Sequence, residues 1–315
     1  MPEPRASEWP PEDSYAGTDP DDVAAGTDAG TGADDEEARP PVFAPVRRLV
    51  SLGVVGLTAL VTVAVVVGVQ FDHASFALVV LGVQILFVVV WTVAAQPPAP
   101  RVVGFVGLVV AGGADLAAVR VQPASLAPMA YITAGGFVVA VIGQLLRPAG
   151  RVRVTESLGS SLMVVLGVVA YATLIVLSRR ALGTQVISAC VVGAGEALFV
   201  AHLTDVVAPM LRVAPAVPRG GAGVIAGAMV GTAAAGLAGY LLEGLSTLPT
   251  AIAGLAAAVI ALMVDLSVNY AEAGRRLAGM PPPWWLVRHM QGPLTAFAFA
   301  APVAYAATLV LARGL

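Results

Sequence analysis

Long apolar runs separated by short polar breaks dominate the chain from residue 49 onward. Each run is about 20 residues long, which is the length that a helix needs to cross the hydrocarbon of a bilayer. Lipid offers the backbone no hydrogen-bond partner, so runs of this length predict helices. The predicted spans are 49–69, 75–96, 102–119, 126–146, 157–178, 184–204, 222–243, 248–268 and 291–312. The pattern therefore predicts an all-α, polytopic membrane helix bundle of about nine transmembrane helices.

Composition supports this class. The chain is 58% hydrophobic and 12% charged, and its mean hydropathy is +0.86, whereas a soluble domain carries about a quarter charged residues. A formal net charge of −3 gives no reason to expect a nucleic-acid partner. The single cysteine, Cys190, rules out an internal disulfide and lies in an apolar run, where a small packing residue is expected.

The first 45 residues differ from the rest. They are rich in Pro, Gly, Asp, Glu and Thr and hold 12 acids against two arginines. Such a segment cannot bury enough apolar surface to offset the entropy lost on ordering. We predict a disordered acidic tail at 1–45, with a solvated tail or a partner-binding tail as the two interpretations, followed by a transmembrane domain at 46–315. An acidic start and a late first apolar run argue against a signal peptide.

Arginine placement predicts the orientation. All 17 basic residues are arginines, and Ala, Val and Gly dominate, as expected of a GC-rich bacterial genome. If the N-terminus is cytoplasmic, 11 arginines of the transmembrane domain fall inside and four outside, in keeping with the positive-inside rule. The pair Arg179–Arg180 is the exception. The prediction is a bacterial cytoplasmic (inner) membrane with the N-terminus in the cytoplasm.

Four of the acids within or at the ends of predicted spans carry predictions. An ionisable residue inside a span is costly, so it usually faces the bundle interior. Asp115 and Glu196 are intramembrane, and an interhelical hydrogen bond is the expected role of each. Asp205 and Asp265 lie at the cytoplasmic ends of the sixth and eighth spans, and we expect Glu196 and Asp205 to share a face.

Small residues recur every four positions in the seventh span. The stripe is formed by Gly223, Gly227, Gly231, Ala235 and Gly239. Such stripes let another helix approach closely. The partner helix can lie in the same chain or in a second protomer, so a homodimer through the Gly223/Gly227/Gly231 face is one prediction.

Several segments follow one another in an order that resembles the phosphatidate cytidylyltransferases, also called CDP-diacylglycerol synthases. They are TDVVA at 204–208, PRGG at 218–221, DL at 265–266 and AAPV at 300–303. The resemblance covers about 46–312 in topology and is specific only within 200–305. It implies a CTP-dependent enzyme of phospholipid biosynthesis that uses a divalent metal.

The chain departs from the family pattern at charged positions. Asp205 and Asp265 match family acids, and Arg219 could replace one lysine of the phosphate-handling loop. Pro209 stands where the family has Tyr, while Gly292, Pro293 and Thr295 occupy the positions of its Asp-Arg-x-Asp string. Hard metals need several oxygen ligands, and only Asp205 and Asp265 remain as candidate catalytic and metal ligands, with Arg219 as the candidate phosphate-binding residue.

Other polar residues carry weaker predictions. His202 and His289 could be bases or ligands, but neither has a second His or Cys at metal-ligand spacing, so hydrogen-bonded roles are expected. Trp284 and Trp285 are expected to anchor the chain at the membrane interface.

Three hypotheses follow. The first is a catalytically degenerate relative of the family that binds membrane lipids or a partner protein at the cytoplasmic cleft. The second is an active phosphatidate cytidylyltransferase that uses Mg²⁺ held by Asp205 and Asp265; carboxylates more than about 10 Å apart would exclude it, because ligand bonds are about 2–2.6 Å. The third is a small-solute transporter, which would show an internal repeat and discontinuous helices.

Overall fold

The computed structural model describes residues 48–146, 153–207, 213–214, 217, 219–280 and 284–311. The acidic tail predicted at 1–45 lies outside these residues. Within them the chain forms helices and no strand, which confirms the all-α prediction. The helices are α1 (Arg48–Gly68), α2 (His73–Ala95), α3 (Pro100–Arg120), α4 (Ala127–Leu145), α5 (Val154–Ser178), α6 (Gly183–Val207), α7 (Gly221–Leu241), α8 (Thr247–Leu277) and α9 (Trp285–Leu311).

Eight of these helices, α2 to α9, are long and apolar enough to cross a membrane. The apolar part of α1, Leu52–Gly68, is shorter. The third span is confirmed as a continuous helix, although Asp115 and paired glycines lie inside it. The chain is therefore a polytopic membrane helical protein.

Two helices extend beyond their predicted bounds by six residues or more. The eighth span was expected to end at 268, but α8 continues to Leu277, and the ninth was expected to begin at 291, but α9 begins at Trp285. A hydropathy pattern detects only the apolar part of a helix. The polar turns continue the helices, and the Glu272–Arg276 pair at positions i and i+4 supports this extension of α8.

Two helix groups meet along α9. Helices α2, α3 and α4 pack around α5, while α1, α7 and α8 pack around α6. Helix α9 contacts both groups, through α2 and α5 on one side and α6 and α8 on the other. Burial follows this order: 78% of the apolar window of α5 is buried, against 22% for the peripheral α4. The Tyr171 hydroxyl on α5 donates to the Leu294 carbonyl on α9 at 2.6 Å, which ties the two central helices together.

Two arginines and an aspartate form hydrogen bonds with unpaired backbone groups at the ends of helices. Arg179 Nη1 donates to the Ala118 and Val121 carbonyls at the end of α3, at 2.5 and 2.9 Å. Arg275 Nη1 donates to the Ala94 and Ala95 carbonyls at the end of α2, both at 3.0 Å. Cations are favoured at helix C-termini, where carbonyls lack intrahelical partners. Arg179 belongs to the pair that departs from the positive-inside rule, and these hydrogen bonds explain its position by a local structural role.

The start of α2 is capped in the complementary way. Asp72 accepts hydrogen bonds from the Ala74 and Ser75 backbone N–H groups at 3.0 and 3.2 Å, as an N-cap residue does. The hydrogen bond from the Ser75 hydroxyl is the main cause that lowers the pKa of Asp72 from its ordinary value.

Candidate functional site

Arg219 is the centre of a buried polar cluster. It lies immediately before Gly220, the N-cap residue of α7, at the end of the bundle where α6 and α8 finish and α7 and α9 begin; we call this the site end. Only 5% of the Arg219 surface is exposed. The Val213 N–H donates to the Arg219 carbonyl at 2.8 Å, so the α6–α7 connection folds back on this residue. The guanidinium group therefore points into the protein and away from solvent.

Asp205 on α6 binds both Arg219 and the start of α7. Its Oδ2 accepts from Arg219 Nη1 at 2.8 Å, and its Oδ1 accepts from the Gly220 N–H at 2.9 Å. The carboxylate thereby satisfies one of the backbone donors that a helix N-terminus leaves unpaired. Asp205 fixes the connection between α6 and α7 as well as the guanidinium.

Asp265 on α8 supplies the second carboxylate. Its Oδ2 accepts from Arg219 Nη2, and the Asn269 amide one turn later donates to the Asp265 carbonyl at 2.7 Å. Its other oxygen, Oδ1, is buried and has no hydrogen-bond partner in the described part of the chain. A Cβ added to Gly292 would overlap this oxygen. Glycine at 292 therefore lets α9 pass directly against the Asp265 carboxylate.

His202 completes the cluster one turn before Asp205 on α6. Its Nε2 contacts Arg219 Nη2. A guanidinium group donates hydrogen bonds and cannot accept them, so His202 Nε2 accepts from Arg219 when the ring proton is on Nδ1. The same Nε2 is 3.7 Å from Asp265 Oδ1, which is too long for a hydrogen bond.

A second, more exposed network of ion pairs lies further along α8, around Glu272; we call it the Glu272 network. Glu272 Oε1 accepts a hydrogen bond from Arg276 Nε at 3.1 Å and forms an ion pair with Arg288 Nε on α9 at 3.2 Å. One carboxylate thus stands between two guanidinium groups, and the network has a net charge of +1. The Arg276 side chain is 28% exposed, so this network, unlike the Arg219 cluster, reaches the surface.

The cleft between the two networks is very small. It encloses about 20 Å³ and is lined by His202, Val268, Asn269, Glu272, Arg288, His289 and Gly292. This volume suits about one water molecule, whereas small-molecule sites usually enclose about 300–1,000 Å³. Two larger grooves, of about 670 and 350 Å³, lie along α7–α8 and α8–α9, and their linings contain no charged residue. The cleft that the described residues form beside the polar cluster is therefore too small for a nucleotide.

The three residues singled out for chemistry do come together, but they bind one another. Asp205 and Asp265, predicted as metal ligands, both contact the guanidinium of Arg219, predicted to bind phosphate. Their carboxylates share one partner and so meet the distance condition set above for a common ion. Among the described residues, however, no group of three or more His, Cys, Asp or Glu side chains could hold a metal ion.

The intramembrane acids lie elsewhere. Asp115 on α3 accepts a hydrogen bond from Gln84 Nε2 on α2 at 2.9 Å, the interhelical role expected of it. Glu196 is partly buried on α6. The expectation that Glu196 shares a face with Asp205 is wrong, because nine residues make two and a half helical turns and place the two side chains on opposite sides of α6.

The glycine stripe of α7 packs within the chain. A Cβ on Gly223 would lie 2.9 Å from the Ala201 carbonyl oxygen, and one on Gly227 or Gly231 would overlap the carbonyl oxygens of Ala197 or Gly193. All three neighbours belong to α6. These three glycines thus serve the α6–α7 contact, whereas Gly239 packs against Thr250 on α8. The predicted homodimer stays a prediction.

Sequence reasoning gave His202 and Gln84 too little weight. His202 gave a signal in its spacing, since positions 202 and 205 lie on one side of a helix. Gln84 is a neutral residue in an apolar run, and its only signal was the rarity of an amide in the middle of a span.

Comparison with known proteins adds no relative to this description. No family model, no curated protein and no solved structure matches the chain.

Proposed function

We propose that this chain is a catalytically degenerate relative of the phosphatidate cytidylyltransferases that binds the phosphate headgroup of an anionic membrane lipid at the site end. The loss of catalysis is supported by one observation, the pairing of Asp205 and Asp265 with Arg219. A divalent metal would need these carboxylates, and nucleotide phosphates would need this arginine. All three are occupied by one another.

The Glu272 network supports the second claim of the proposal, that the site end binds a lipid headgroup. Arg276 and Arg288 reach Glu272 through their Nε atoms, and their terminal Nη groups form no ion pair with another described residue, so these groups can bind another anion. Guanidinium groups suit phosphate because they donate in a planar fork. Trp284 is 62% exposed just before α9, as expected of a residue at the membrane interface.

Catalysis is tested directly. We expect purified full-length protein, supplied with CTP, phosphatidate and Mg²⁺, to form no CDP-diacylglycerol above the level of a mock preparation. Product formation is followed by transfer of label from CTP into the lipid phase. Turnover that disappears in Asp265→Asn would overturn the proposal.

Lipid binding is tested with paired variants. The double variant Arg276→Gln/Arg288→Gln should bind phosphatidate in nanodiscs at least about tenfold more weakly, a change of about 1.4 kcal/mol. Arg153→Gln is the matched control, because Arg153, the N-cap residue of α5, also pairs with a glutamate, Glu156, but belongs to neither the Arg219 cluster nor the Glu272 network. Equal affinities for the double variant and the control would contradict the role of the Glu272 network.

An active enzyme is the second candidate, and one observation favours it. Asp205 Oδ2 and Asp265 Oδ2 face the same guanidinium, so movement of Arg219 onto a CTP phosphate would leave both oxygens facing one point. This candidate predicts Mg²⁺-dependent turnover in the assay above, which the degenerate relative does not.

A further inference from the structure

A second polar centre lies in the other half of the bundle, among α2, α3 and α5. Gln84 is fully buried and Asp115 is 6% exposed. Gln84 Nε2 donates to Asp115 Oδ1 and to the Val168 carbonyl, both at 2.9 Å. These contacts join three helices and involve neither the Arg219 cluster nor the Glu272 network.

The orientation of the Gln84 amide follows from its partners. A carbonyl oxygen such as that of Val168 only accepts, so the amide nitrogen must face it. Both hydrogens of Nε2 are then used, one for Val168 and one for Asp115. The amide oxygen Oε1 and the second carboxylate oxygen, Asp115 Oδ2, are buried and have no partner among the described residues.

Two buried acceptors beside this contact therefore have no donor among the described residues. Gln84 Oε1 is bonded to the same carbon as the donor Nε2, and Asp115 Oδ2 is bonded to the same carbon as the acceptor Oδ1. No arginine or histidine of the described chain forms an ion pair with Asp115, so no cationic side chain supplies the missing donor. Burying an acceptor without a donor costs free energy, and burying an unpaired charge costs more.

We propose that Gln84 and Asp115 form a proton-binding site, in which Asp115 Oδ2 carries one proton and donates it to Gln84 Oε1. One proton satisfies both orphaned oxygens and removes the unpaired charge. A metal ion fits less well, because Ca²⁺ and Mg²⁺ take six or more oxygen ligands and this centre offers two. The site gives the α2–α3–α5 group an ionisable centre of its own, independent of the proposed lipid site.

Infrared spectroscopy of the full-length protein in nanodiscs tests this assignment. At neutral pH the wild type should show the C=O stretching band of a protonated carboxyl group, and Asp115→Asn should lose it. Gln84→Leu should keep the band and shift it, because the acceptor of the proton is gone. Asp265→Asn is the matched control and should leave the band unchanged, since Asp265 is ion-paired with Arg219.

Stability gives a second readout. Asparagine at 115 can accept from Gln84 Nε2 and donate to Oε1, as the protonated acid does, so Asp115→Asn should keep the unfolding midpoint of the wild type. A wild-type spectrum without any band that depends on Asp115 would overturn the proposal. So would a marked stabilisation by Asp115→Asn, which would show that the wild-type carboxyl is charged.

Discussion

Replacing Arg219 by alanine should destabilise the protein by about 3–5 kcal/mol, more than any other single change at the site. The guanidinium is the common partner of Asp205 and Asp265, which are 6% and 2% exposed. Without it, two buried carboxylates face each other with no cation between them. Reversible unfolding in mixed detergent micelles, followed by circular dichroism, measures the loss.

Arg276→Ala is the matched control. Arg276 also pairs with a carboxylate, but its side chain is 28% exposed, and ion pairs that reach solvent contribute about 0–1 kcal/mol. A loss below about 1 kcal/mol for Arg219→Ala would contradict the buried ion cluster described here.

The same cluster predicts a difference between its members. Two carboxylates surround one guanidinium, so removing one negative charge is less costly than removing the only positive charge. Asp265→Asn keeps the side-chain shape and leaves Arg219 paired with Asp205. Its unfolding free energy should lie closer to that of the wild type than to that of Arg219→Ala, and the opposite order would show that side-chain volume, and not charge, decides stability at the site.

The helices were predictable because hydropathy and the needs of the backbone in lipid act locally. Each apolar run became a helix whatever its neighbours, including α3 with Asp115 inside it. The polar ends of α8 and α9 were missed because they carry charge outside the apolar core, where a hydropathy pattern reads a loop. Packing against neighbouring helices and the Glu272 ion pairs hold these turns in place.

The residues of the site were predictable but their pairing was not. Asp205, Arg219 and Asp265 stand out as charges at the ends of apolar runs. That Arg219 binds Asp265, 46 positions away, depends on α6, α7 and α8 packing together, which no spacing reveals. The proton-binding pair shows the same limit, since Gln84 and Asp115 are 31 positions apart. A sequence marks where polar groups are costly, whereas the fold decides which of them satisfy one another.

The second large effect is expected at the α6–α7 contact. Replacing Gly227 by alanine should cost about 1–3 kcal/mol, because the added methyl group overlaps the Ala197 carbonyl oxygen, and backbone cannot give way as a flexible side chain does. Gly231→Ala, which meets the Gly193 carbonyl oxygen, should cost a similar amount. Unfolding in mixed micelles again measures both.

Gly113 provides the control for these substitutions. It lies inside α3 with open space around its Cβ position, so Gly113→Ala should be neutral or stabilise the protein by up to about 0.5–1 kcal/mol. The α7 variants should also disturb the site, because Asp205 on α6 and Gly220 at the start of α7 are held together by the hydrogen bond that spans this contact. If Gly227→Ala proved as harmless as Gly113→Ala, close approach of α6 and α7 would not be what the glycine stripe provides, and a contact with a second protomer would become the better explanation of its spacing.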